Sequence, residues 1–104
     1  MAPAYVVVDV AVKDPEAYEE YRAKAPPIIA AAGGRYIVRG APVAHVEPGW
    51  DVSRFVMLEF PSMAAAKKWY HSPEYQRILP IRLNSTRSRM MFVEGLDPNA
   101  PVPA

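Results

Sequence analysis

A strand and the start of a helix lie side by side in AYVVVDVAVKDPE, residues 4–16. Valine carries two heavy atoms on Cβ, which stiffens the side chain and favours a pleated strand. Side chains alternate along a strand, so Val6, Val8, Val10 and Val12 share one face, and Tyr5, Val7, Asp9 and Ala11 share the other. Both faces are largely apolar, which predicts that both are covered; a strand with one wet face would alternate more cleanly. Asp14-Pro15-Glu16 then opens a helix, with an Asp cap, proline where its missing N–H costs nothing, and an acid in the first turn.

Beyond this start, Tyr18, Tyr21, Ala25, Ile28, Ile29 and Ala32 keep helical spacing. Pro26 and Pro27 interrupt the hydrogen-bond ladder and predict a kink or restart near Ala25. Gly33-Gly34 ends the helix. RYIVR, residues 35–39, reads as a second strand closed by Gly40, with a continuation over residues 43–47 after a bend at Ala41-Pro42 and a turn at Pro48-Gly49. RFVMLEF, residues 54–60, reads as a third strand. Ser62 caps a second helix through Tyr70, and Ser72-Pro73-Glu74 caps a short third helix ending near Leu79. Residues 85–94 make a last strand.

The order is β-α-β-β-α-β, an α+β, ferredoxin-like arrangement with an antiparallel sheet and its helices on one face. Such helices cover only one side. The third strand is apolar on both, with Phe55 and Met57 on one face and Val56, Leu58 and Phe60 on the other. A second copy of the chain, packed sheet to sheet in a two-fold dimer, is the simplest cover.

The 104 residues fit one domain, residues 1–96, followed by a proline-rich tail, residues 97–104, expected as an extended arm. Twelve basic and eleven acidic residues are interspersed, so no basic stripe points to nucleic acid or to a membrane surface. Cysteine is absent, which excludes disulfides and thiolate chemistry. The N-terminal stretch is too short and too alternating for a signal peptide or a membrane span, and a cytoplasmic protein is expected.

Four segments in order, GGRYIVRG (33–40), RFVMLEFPS (54–62), WYHSPEYQ (69–76) and MFVEGL (91–96), resemble the bacterial family named domain of unknown function 1330. The resemblance covers roughly residues 4–96. It implies ferredoxin-like subunits paired through their sheets, as in the dimeric α/β-barrel superfamily, and implies no reaction. That superfamily includes cofactor-free monooxygenases, haem-degrading oxygenases and isomerases, an analogy at the level of fold only.

The residues themselves offer two groups of candidates. Trp69, Tyr70 and Tyr75 are either core at a helix junction or the wall of a small-molecule pocket. Asp9, Arg39 and Glu59 lie inside strands, where a charge is costly unless partnered. They form either a structural ion-pair network or the polar end of that pocket. In the second case Arg39 offers a fork to a carboxylate or enolate, and Glu59 is the candidate base. His71, at a helix end, suits the helix dipole better than catalysis, although it is kept as a catalytic candidate. Arg82, Arg87 and Arg89, with Lys67 and Lys68, read as solvated faces or ion pairs. Two histidines without metal-binding spacing argue against a metal, and no glycine-rich loop supports a nucleotide cofactor, so none is expected. The expected protein is a homodimer that binds a small aromatic or unsaturated acid, acting as a cofactor-free oxygenase or isomerase. The alternative is a non-catalytic binder or structural dimer.

Overall fold

The computed structural model describes residues 2–101. Its elements run β1 (Ala4–Val12), α1 (Pro15–Ala31), β2 (Arg35–Ala41), β3 (Arg54–Phe60), α2 (Met63–Tyr70), α3 (Pro73–Ser85) and β4 (Thr86–Glu94). The four strands form one antiparallel sheet in the order β2-β3-β1-β4. The ferredoxin-like architecture is therefore present, with the second helical unit split into α2 and α3.

Alternation assigns the two faces. Ala4, Val6, Val8 and Val10 of β1 and Leu58 and Phe60 of β3 are buried beneath the helices, with Tyr18, Tyr21, Ala25 and Ile29 of α1 and Ala66, Trp69, Tyr75, Ile78 and Leu79 of α2 and α3. The opposite face is open. Val7 at its centre pairs with Met57 on one side and Met91 on the other, an apolar row across three strands. The row on one side of it joins Glu59, Tyr5 and Val93; the row on the other joins Phe55, Asp9 and Arg89.

Helix starts follow the caps read from the sequence. The side chains of Asp14, Ser62 and Ser72 accept from the N–H groups of Ala17, Ala65 and Tyr75, each three residues on. These bonds satisfy donors that the first helical turn leaves free. Gly33 follows the end of α1 with φ +88°, a conformation that costs other residues free energy.

Several expectations are corrected. Of the kink or restart expected near Ala25, the restart does not occur: α1 runs through Pro26 and Pro27 as one helix from residue 15 to residue 31. α3 passes Pro80 and continues to Ser85; burial of Ile78, Leu79, Arg82 and Ser85 outweighs the broken ladder bond, since packing supplies most helix stability. Residues 43–47 add no strand and lie in an irregular connection between β2 and β3. β2 itself extends through Gly40 to Ala41. In the tail, residues 98–100 turn, with Ala100 N–H donating to the Asp97 carbonyl; residues 102–104 lie outside the described residues. No helix among the described residues is long and apolar enough to cross a membrane.

Candidate functional site

β2 does not keep a simple two-residue alternation against β3. Tyr36 pairs with Leu58 and Arg39 with Val56, with register shifts between Tyr36 and Val38 and between Arg39 and Ala41. An extra residue in one strand swaps the faces of everything after it. Arg35 therefore lies on the open face while both Tyr36 and Arg39 lie on the helical face. Arg39 stacks its guanidinium over the Tyr36 ring at 4.7 Å and donates from Nη2 to the Arg22 carbonyl of α1 at 3.0 Å.

Arg39 thereby joins the rim of a pocket between the sheet and α1. The lining is apolar toward the sheet, with Val8, Val10, Val56 and Leu58, and aromatic above, with Tyr18, Tyr21, Tyr36 and Trp69. Four arginines complete it: Arg22, Arg39, Arg54 and Arg82. No carboxylate and no imidazole is part of the lining. The cavity is about 30 Å³, room for about two waters.

Each arginine is held differently. Arg82 is 3% exposed and donates from Nη1 to Ser88 Oγ at 2.6 Å. Arg54 lies 5.8 Å from the Tyr18 ring centre and is pressed against Gly40. At Gly40, φ is +73° and a Cβ would come within 2.6 Å of the Arg54 guanidinium, so only glycine leaves space for that stack. Arg22 pairs with the exposed Glu19 at 2.7 Å. The Nε groups of Arg22, Arg54 and Arg82 and the indole Nε1 of Trp69 are buried with no hydrogen-bond partner among the described residues. Leaving a buried donor unsatisfied costs about 1–3 kcal/mol, and more when it is charged.

Deeper in, the hydroxyls of Tyr21 and Tyr75 share a hydrogen bond of 2.7 Å. Burial pushes the Tyr21 phenol well above its ordinary value, and its neighbour Tyr75 adds to this. Tyr75 is also pushed up by burial, which the Arg82 guanidinium opposes. A guanidinium only donates. The four guanidinium groups and the Trp69 indole thus present only donors to the pocket.

The candidates named from the sequence do not all meet here. Trp69 is 1% exposed and lines the pocket, yet it is equally core, with its ring 4.3 Å from Tyr75 and 5.2 Å from Phe60. Tyr75 is fully buried behind Tyr21 and acts on the pocket through that hydroxyl. Tyr70 packs edge-on to Phe92 and, with His71 and Lys67, borders a shallow groove beside β4 outside the arginine-lined pocket. His71 closes α2, its N–H donating to the Lys67 carbonyl. Glu59 and Asp9 lie on the open face, where Glu59 accepts from Arg35 and Asp9 from Arg89, each at 2.8 Å. Arg39 and Glu59 are thus on opposite faces of the sheet and cannot form one polar pocket end. Asp9 and Glu59 take the structural ion-pair alternative. Arg82, read as part of a solvated face, is buried in the site.

Arg22, Arg54, Arg82, Tyr18, Tyr21 and Tyr36 were missed as site residues. Part of the signal was there. Tyr18, Tyr21 and Arg22 stand at i, i+3 and i+4 on α1, and Arg54 shares the even-numbered face of β3 with Val56 and Leu58. Arg82 stands seven residues from Tyr75 on α3, a relation hidden by ending that helix before Pro80.

Residues 3–96 match the family model described as domain of unknown function (DUF1330). Among similar solved structures is a protein of unknown function from Rhodopseudomonas palustris, at 21% identity and TM-score 0.75, covering 93% of this chain and 85% of that one. Another is a dabb family protein with a ferredoxin-like fold from Mesorhizobium loti, at 14% identity and TM-score 0.64, covering 93% and 98%. A third is an uncharacterized NIPSNAP domain protein from Burkholderia xenovorans, at 14% identity and TM-score 0.56, covering 98% and 100%. At these identities they establish the fold alone. No curated protein matches the chain.

Proposed function

Because this chain belongs to the DUF1330 family, whose description carries no activity, we propose a function from the site: it binds a small organic anion, an aromatic or unsaturated carboxylate or enolate, in the pocket beneath α1. The observation that carries this is the set of four buried unpartnered donor nitrogens in a lining with four arginines and no acid. An oxyanion supplies the missing acceptors, and guanidinium groups match a carboxylate in two parallel bonds. The tyrosine and indole rings suit a flat unsaturated body.

Binding without turnover is placed ahead of the oxygenase or isomerase reading. Proton abstraction needs a base within reach of the substrate. Glu59 is across the sheet, His71 is outside the pocket, and the raised phenols of Tyr21 and Tyr75 hold their protons. Neither phenol therefore supplies the base that proton abstraction needs.

The test is a thermal-shift screen with benzoate, 4-hydroxybenzoate and muconate, each against its neutral amide. A ligand at a hundred times its dissociation constant stabilises by about 2.7 kcal/mol, roughly 10 °C for a domain of this size. The acids are expected to raise the melting temperature, the amides not, and Arg54→Gln to abolish the shift in a folded protein. Equal shifts with acids and amides, or none with any acid, would reject the proposal.

The same chain is proposed to work as a homodimer joined through the open sheet face. The support is the apolar row of Met57, Val7 and Met91, with Met91 63% exposed, on a face that no helix covers.

A further inference from the structure

The cavity of about 30 Å³ is too small for an aromatic acid as it stands. Something on its rim must move. α1 contains Pro26, and proline has no N–H to give to the carbonyl four residues earlier. That carbonyl belongs to Arg22. It is the group that accepts Arg39 Nη2 at 3.0 Å. A defect in the helix ladder and a hydrogen bond that crosses from β2 to α1 at the pocket rim therefore share an atom. Arg22, Tyr36 and Arg39 all line the pocket, and Arg39 itself is solvent-exposed.

We infer that Arg39 is a latch on the pocket, and that Pro26 keeps the Arg22 carbonyl available to hold it. In the closed form Arg39 lies over Tyr36 and bonds to that carbonyl. On opening, the guanidinium leaves the carbonyl, widens the rim and takes the ligand's carboxylate in exchange. The exchange replaces a neutral acceptor with a charged one, whose hydrogen bonds are about twice as strong, so a bound carboxylate favours the open form. A neutral molecule of the same shape offers Arg39 at best an amide-like acceptor no stronger than the carbonyl it leaves, which makes Arg39 a specificity residue as well as a gate. The latch rests on the anion-binding reading above.

Trp69 reports on the pocket directly. The chain has two tryptophans, and Trp50 is 71% exposed in the β2–β3 connection. In a Trp50→Phe background, emission comes from Trp69 alone, and it is quenched with iodide, an anion, and with acrylamide, which is neutral. Pro26→Ala restores an N–H that competes for the Arg22 carbonyl and weakens its bond to Arg39; Arg39→Gln removes the latch; Pro27→Ala restores a bond to the Ala23 carbonyl, which Arg39 does not use. The expected result is that Pro26→Ala and Arg39→Gln raise the quenching constant of Trp69 about two-fold or more, while Pro27→Ala leaves it at the parent value. Circular dichroism checks that each variant is folded. Quenching unchanged in Pro26→Ala and Arg39→Gln, or raised as much by Pro27→Ala, overturns the latch. Failure of the anion reading looks different: the two variants still open the pocket, but iodide gains no more than acrylamide in Pro26→Ala, where every arginine is retained.

Discussion

Burying a phenol favours its neutral form, and here that preference has a pH signature. Tyr21, Tyr36 and Tyr75 are all raised above the ordinary value of 10.0 by burial; Tyr75 adds to the rise at Tyr21, while Arg39 and Arg82 oppose it at Tyr36 and Tyr75. The unfolded chain gives up these protons near pH 10, and the folded chain keeps them. Their contribution to stability is therefore complete below about pH 10 and is lost as pH rises above it toward the folded values. Urea midpoints are expected to be flat across pH 8–9.5 and to fall by pH 11. Phenolate absorbance from these three residues should rise together with unfolding and not before it. Full phenolate absorbance from a still-folded chain would contradict the packing described for Tyr21 and Tyr75. Residue identity alone marked Tyr75 and Trp69 as candidates. It could not separate core from pocket, because one indole with one face against Phe60 and Tyr75 and an edge toward the cavity is both.

The junction of α2 and α3 depends on one hydroxyl. Ser72 Oγ accepts the Tyr75 N–H at 3.2 Å and donates to the Trp69 carbonyl at 2.7 Å. It ends one helix and starts the next, and it brings the Trp69 and Tyr75 rings together at 4.3 Å with their planes tilted by 43°. Ser72→Ala is expected to cost about 1 kcal/mol, with an upper range near 2, measured by chemical denaturation. Because the two rings pack against each other in the core, near-ultraviolet dichroism should change as well. A loss in stability with an unchanged aromatic spectrum would mean that the core rings, and not the cap, hold this junction. Caps were legible because they are local: Asp14, Ser62 and Ser72 bond three residues ahead, within one helical turn. Prolines were less so. Pro26, Pro27 and Pro80 each remove a ladder bond, but whether a helix stops there depends on what its remaining face buries, which lies in other elements.

The sheet has one face under helices and one open face, and the molecule is only 16 Å deep along its shortest axis. Placing a charge in the central apolar row should prevent a second copy from covering it. Met57→Lys is expected to convert a particle of about twice 11.6 kDa to one of 11.6 kDa by light scattering, with the arginine-lined pocket on the other face left in place. A monomer in the parent protein, or a dimer that survives Met57→Lys, would reject the sheet-to-sheet arrangement. The fold class, the strand faces of β1 and β3, the helix starts and the uncovered sheet face all follow from the amino-acid order, because alternation and capping act over a few residues. The site did not follow. A bulge in β2 moves Arg39 to the helical face, pairing distant in sequence sends Glu59 to Arg35 and Asp9 to Arg89, and the passage of α3 through Pro80 buries Arg82. Each of these rests on a balance between elements far apart in the chain, and only the packed tertiary structure sets that balance.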